Sequence, residues 1–252
     1  MFQQAGTAQL NDYFRPLSER GGSRVFFCRI AGYGETVAAF LRRYYEAARR
    51  SGVIIDGRIP NPTPDNLSYF NEMMGSGFQM DRDFLSQRLK KWLPRMTDGQ
   101  RDAVVTAMYA TLDDMRRAGK NDNMLRNAYM KYMCWLYYKF ERIVNVLGGE
   151  TLPKILYAGD VSHYELQLLT VLSRAGADIV LLECGGDQAY LTVDPSRPCR
   201  TCIRPLAWGP SRRASVSSSF RRSWSGRCAA SGSTARRPPS LPAPTPGCRR
   251  QS

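Results

Sequence analysis

The sequence of 252 residues contains a single histidine, His163. A metal site built on several imidazoles is therefore excluded. No apolar run approaches the roughly 20 residues that span a bilayer. The N-terminus also lacks the charged-then-apolar signature of a secretory signal. The expectation is a soluble, cytoplasmic protein with no metal. Acidic residues and lysine disappear after Asp194: residues 195–252 carry 12 Arg but no Lys, Asp or Glu. That leaves 24 basic and 22 acidic side chains in residues 1–194, so the formal net charge of +14 belongs to the tail. The near-neutral body gives no electrostatic reason to expect nucleic acid or a membrane as partner. Before the tail, cysteine is confined to Cys28, Cys134 and Cys184, in apolar or helical contexts that suit small buried hydrophobes.

The tail itself, residues 196–252, reads as disordered. Its apolar residues show no periodicity, and it holds Cys199, Cys202, Cys228 and Cys248 with no second ligand pair or histidine beside them. A natural Arg/Ser/Pro arm for nucleic acid is one reading. A shifted reading frame is the other: permitted codons after Cys199, read two bases later, yield a Pro/Gly loop followed by an amphipathic helix. The second reading is the expectation.

The body is organised as two similar units around a helical segment. After a polar lead-in (1–22), "RVFFCRIAG" reads as a buried strand, "YGETVAAFLRRYYEAARRSG" as a helix and "VIIDGRIP" as a second strand, together residues 23–61. Residues 62–149 read as helices: a short one after a Pro-rich turn that Asp65 would cap, one near Asp81–Leu93, one opened by Thr97, and a long one near Asn123–Leu147. The run "MCWLYYKF" is expected in the core. Residues 150–195 return to strand, helix and strand, with "DQAYLTVD" as one further strand. The fold class expected is α/β: a Rossmann-like parallel sheet with a large helical insertion, both units sharing one sheet.

In such sheets ligands bind at the carboxyl ends of the strands. Gly32 and Gly34 in "RIAGYGET" would let an anion approach a helix N-terminus, although neither a Walker loop nor a complete GxGxxG is present. In "YAGDVSHYE", Gly159 and Ser162 would face a phosphate or sugar hydroxyl. Asp160 or Glu165 would accept hydrogen bonds, and His163 would titrate near neutrality. Ser162 or Asp160 also fits a helix cap, and Glu165 suits the first turn of a helix. Asp187, after the glycines of "ECGGDQAY", and Arg58, in "GRIPNP", complete the candidate ligand-binding set. No catalytic residue and no cofactor is named by this pattern; three residues within four positions do not make a Ser-His-Asp triad.

The segments "NDYFRPL", "GRIPNP", "KKWLPRM", "AGKNDNMLRNAYMKYMCWLYYKFERIVN" and "PKILYAGDVSHYELQLLTVLSRAGADIVLLECGGDQAYLTVDP" resemble the bacterial YceG-like family over roughly residues 11–195. The resemblance implies a component of a biosynthetic module associated with tellurium-resistance and stress-response genes. It also implies a proline-rich loop and a helix after the "VDP" segment, from which the tail departs. Two functions are compatible: binding of a small phosphorylated or nucleoside-like metabolite, or a non-catalytic scaffold for other stress-module proteins.

Overall fold

A computed structural model describes residues 7–20, 25–31, 35–60, 67–75, 77–183, 188–194 and 202–203. All of them belong to one compact unit that ends at Pro210. The strands are β1 (Phe27–Ala31), β2 (Gly52–Asp56), β3 (Lys154–Ala158), β4 (Asp178–Glu183) and the two-residue β5 (Cys202–Ile203). The helices are α1 (Glu35–Ser51), α2 (Leu67–Gly75), α3 (Arg82–Trp92), α4 (Asp98–Arg117), α5 (Asp122–Tyr138), α6 (Glu141–Val144), α7 (His163–Arg174) and α8 (Gln188–Val193). All five strands are parallel, in the order β2-β3-β4-β1-β5. Both strand–helix–strand units therefore contribute to one sheet. β5 adds two residues from the segment expected to be unstructured; the rest of 195–252 lies outside the described residues.

Alternation along the strands builds two cores. Ile155, Tyr157, Ile179 and Leu181 face a large cluster with α3, α4, α5 and α7. Cys28, Ile30, Leu156 and Val180, also buried, face the other way, toward the side covered by α1. The helical insertion α2–α6 thus shares the core of the sheet rather than standing beside it. Arg174 of α7 reaches Thr111 (3.1 Å) and Asp114 (2.9 Å) of α4, and Tyr132 of α5 donates to Gln167 of α7 (2.7 Å).

Local chemistry sets the helix ends. The side chains of Asp81, Thr97 and Asn121 accept from backbone N–H groups two or three residues into α3, α4 and α5. Asp65 lies outside the described residues. Gly52 joins α1 directly to β2, and a Cβ there would stand 1.8 Å from the Lys154 carbonyl oxygen. Two readings are corrected. The long fourth helix ends at Tyr138, where the chain turns to bury Phe140 before α6; the apolar pattern continues because Phe140, Ile143 and Leu147 enter the same core. "DQAYLTVD" contributes α8, not a strand, with Tyr190 as its buried residue. Six residues are too few for periodicity to separate the two.

The lead-in is also held more firmly than its polarity implies. Residues Thr7–Phe14 and Leu17–Glu19 form 3-10 turns, and Leu10 and Tyr13 are buried. Arg20 binds Asp178 with two hydrogen bonds of 2.8 Å each, and Asp178 also accepts from Phe26 N–H (3.1 Å) and the Lys154 ammonium (3.2 Å). The Tyr44 hydroxyl of α1 donates to the Asp178 carbonyl (2.9 Å). The Asp178 side chain is fully buried.

Removing one member of a buried ion cluster strands the others. Asp178→Ala should therefore lower stability by about 3–5 kcal/mol in urea unfolding. Burial holds the Lys154 ammonium below the usual 10.5, against the pull of Asp178. The unfolded chain then binds that proton more readily than the native state, so the contribution of this group to stability rises with pH up to about 10.5. Lys154→Met should flatten that rise in unfolding midpoints measured across the alkaline range.

Candidate functional site

Parallel strands bring all their carboxyl ends to one edge, and the loops there differ in openness. At the ends of β2 and β3 the backbones are in contact. Gly57 N–H donates to the Ala158 carbonyl (2.7 Å), and Gly159 N–H to the Leu182 carbonyl (3.0 Å). Gly159 has φ +141°, and a Cβ there would meet the Gly57 carbonyl oxygen at 2.8 Å and its Cα at 3.0 Å. The glycine is required by this approach of two protein loops, with no need to invoke a ligand.

Glu165 closes the same corner. It is almost completely buried, in the first turn of α7. One carboxylate oxygen accepts from Ile59 N–H (2.7 Å) and the other from Ser162 N–H (2.8 Å) and the Ser162 hydroxyl. The side chain that reaches back from the third helical position is one arm of a capping box. Here it also ties the loop after β2 to the start of α7. Arg58 comes within 3.9 Å of the same carboxylate while its side chain stays 65% exposed, so this ion pair adds little to stability. A carboxylate occupying the first turn of α7 opposes a phosphate at that N-terminus.

The remaining residues of this loop lie around the clamp. Asp160 is exposed, and its carbonyl accepts from the Tyr157 hydroxyl (3.5 Å). Burial, reinforced by the Glu165 carboxylate, raises the Tyr157 phenol well above its ordinary range. His163 is exposed at the start of α7, 3.0 Å from the Gln167 side-chain nitrogen. Arg58, Gly159, Asp160, Ser162, His163 and Glu165 lie at this one corner, where Glu165 bonds Ser162 and pairs with Arg58 while Asp160 and His163 are exposed. Gly32, Gly34 and Asp187 lie outside the described residues.

The edge differs at β1 and β4. Ala31 pairs with Glu183 and Arg29 with Leu181, so Arg29 and Glu183 are diagonal neighbours on one face. Arg29 is 3% and Glu183 0% exposed. Tyr190 of α8 lays its ring 3.9 Å from the Arg29 guanidinium, at cation–π distance. None of the three was among the candidates from sequence. The signal was nevertheless there: Arg29 and Glu183 each stand next to apolar residues within a strand, "FFCRIAG" and "DIVLLEC". Among the described residues no group of three His, Cys, Asp or Glu side chains is arranged to hold a metal, and no helix is long and apolar enough to cross a membrane. Burial pushes the Cys134 thiol up to about 11, which keeps it protonated and unreactive at neutral pH.

The contact between Gly159 and Gly57 makes a direct prediction. Gly159→Val should lower stability by about 2 kcal/mol or more, because the side chain meets backbone and the φ is strained. Ser162→Ala should cost about 1 kcal/mol. Urea unfolding of both variants checks the order; an unchanged midpoint for Gly159→Val would show that the two loops separate freely.

No curated protein and no solved structure matches the chain. The family model of the YceG domain matches residues 7–210, which takes in the whole sheet, the helical insertion and both corners of the carboxyl edge. The chain therefore belongs to the YceG-domain family.

Proposed function

We propose that this protein binds a small phosphorylated or nucleoside-like metabolite at the carboxyl edge of its sheet. In this reading it serves as a component of a bacterial biosynthetic module linked to tellurium resistance and stress response. The module and its setting rest on the family resemblance carried by the segments quoted above. The binding rests on topology, and one observation carries it. After β1 the chain passes to α1 on one face of the sheet; after β4 it passes to α8, whose Tyr190 belongs to the core on the other face. Where connections from adjacent parallel strands part in this way, a crevice opens at their carboxyl ends, and α/β proteins bind ligands there.

A thermal-shift screen of the full chain against nucleotides, sugar phosphates and divalent cations tests the reading. A ligand at 100 times its dissociation constant stabilises by about 2.7 kcal/mol, enough for a clear rise in Tm. A rise with phosphorylated compounds is the expected result. No rise with any of them would overturn it and favour a scaffold for other module proteins.

A further inference from the structure

A cluster on the seam between α3, α5 and the connection 77–80, which links α2 to α3, uses none of the residues of the sheet edge. Tyr129 of α5 is 1% exposed, and its hydroxyl has no hydrogen-bond partner among the described residues. Its ring centre stands 5.0 Å from that of Phe78, in the connection, and 5.7 Å from that of Phe84, in α3. One turn further along α3, the Arg88 guanidinium lies 5.0 Å from the centre of the Phe84 ring and forms no hydrogen bond or ion pair among the described residues. Burial pushes the Tyr129 phenol up to about 12, and the Arg88 charge acts against that rise, so the hydroxyl and the guanidinium share one neighbourhood. Phe78, Phe84 and Arg88 are half-buried: the cluster reaches the surface, while the hydroxyl lies beneath it. We infer that this seam is a second ligand site, and that it takes a small carboxylic acid with an apolar body.

The chemistry follows from the four side chains. A buried donor without an acceptor destabilises a fold, and native interiors usually supply one. Phenylalanine at position 129 would fill the same aromatic cluster without that cost, so packing alone does not account for the hydroxyl. A neutral phenol can donate and a guanidinium only donates, so together they call for an acceptor. A carboxylate has two oxygens and accepts charge-assisted hydrogen bonds from both. Phe78 and Phe84 offer aromatic surface to the rest of the molecule. A highly charged ligand with no apolar part would lose its hydration against those rings and gain little in return. Access runs past Phe78. Of the three rings it alone lies outside a helix, so it can turn aside without unwinding α3 or α5.

Calorimetric titration of the full chain with benzoate tests this, with benzyl alcohol as the uncharged counterpart of the same shape. Benzoate should bind, and benzyl alcohol should bind at least about tenfold more weakly, since it lacks the charge that strengthens both hydrogen bonds. Tyr129→Phe should weaken benzoate by about tenfold or more, the expected cost of losing a hydrogen bond to a charged group. Its midpoint in urea unfolding should stay the same or rise, because the variant removes a buried group that has no partner. Arg88→Met, which keeps an apolar stem over Phe84, should weaken benzoate by a similar factor and also fold normally. A Tyr129→Phe chain that unfolds at clearly lower urea would show that the hydroxyl serves the fold, and would overturn the site. Equal affinity of the unmodified chain and both variants for benzoate would overturn it too, as would the absence of benzoate binding to the unmodified chain. Benzyl alcohol binding as tightly as benzoate would overturn the assigned ligand class. None of these outcomes bears on the sheet edge, whose screen uses phosphorylated compounds.

Discussion

The carboxylate of Asp178 is the constraint on which the amino edge of the sheet depends. It opens β4, and through side chain and backbone it joins the N-terminal segment by Arg20 and Phe26, β3 by Lys154 and α1 by Tyr44. A buried carboxylate is tolerable only when its lone pairs are filled. Here two guanidinium N–H groups, one ammonium and one backbone N–H fill them. The arrangement fixes where the chain enters the sheet. It also explains why a polar opening segment with few apolar residues is packed at all.

The opposite edge is built unevenly. At β2/β3 two contacts close the loops on each other: Gly57 against Gly159, and Glu165 against Ile59 and Ser162. At β1/β4 the charges are buried within strands and the connections diverge. One edge therefore combines a rigid corner and a divided one.

Much of the fold was legible because its signals are periodic. The parallel strands are short apolar runs, and the caps at Asp81, Thr97 and Asn121 stand where polar residues interrupt helical patterns. Failures came where tertiary contacts decided. Nothing local distinguishes α8 from a short strand, and nothing local ends α5 at Tyr138 before the chain turns to bury Phe140. At the site, the cap at Ser162 and the place of Glu165 in the first turn were legible, and the long-range contacts of the loop were not. Gly159 and Glu165 look like ligand groups in one dimension because their true partners, Gly57 and Ile59, are about a hundred positions away. Arg29 and Glu183 were passed over as strand interior, although a charge within a buried strand is the rarer and more informative feature.

Nuclear magnetic resonance of the labelled full chain, titrated with adenosine 5′-monophosphate, addresses the central claim most directly. The account predicts that the shifts concentrate on the amides of Ala31 and Leu182, at the carboxyl ends of β1 and β4, while Gly57, Ile59 and Ser162 move little. Shifts confined to the Gly57–Ser162 corner, or no shifts at all, would contradict it.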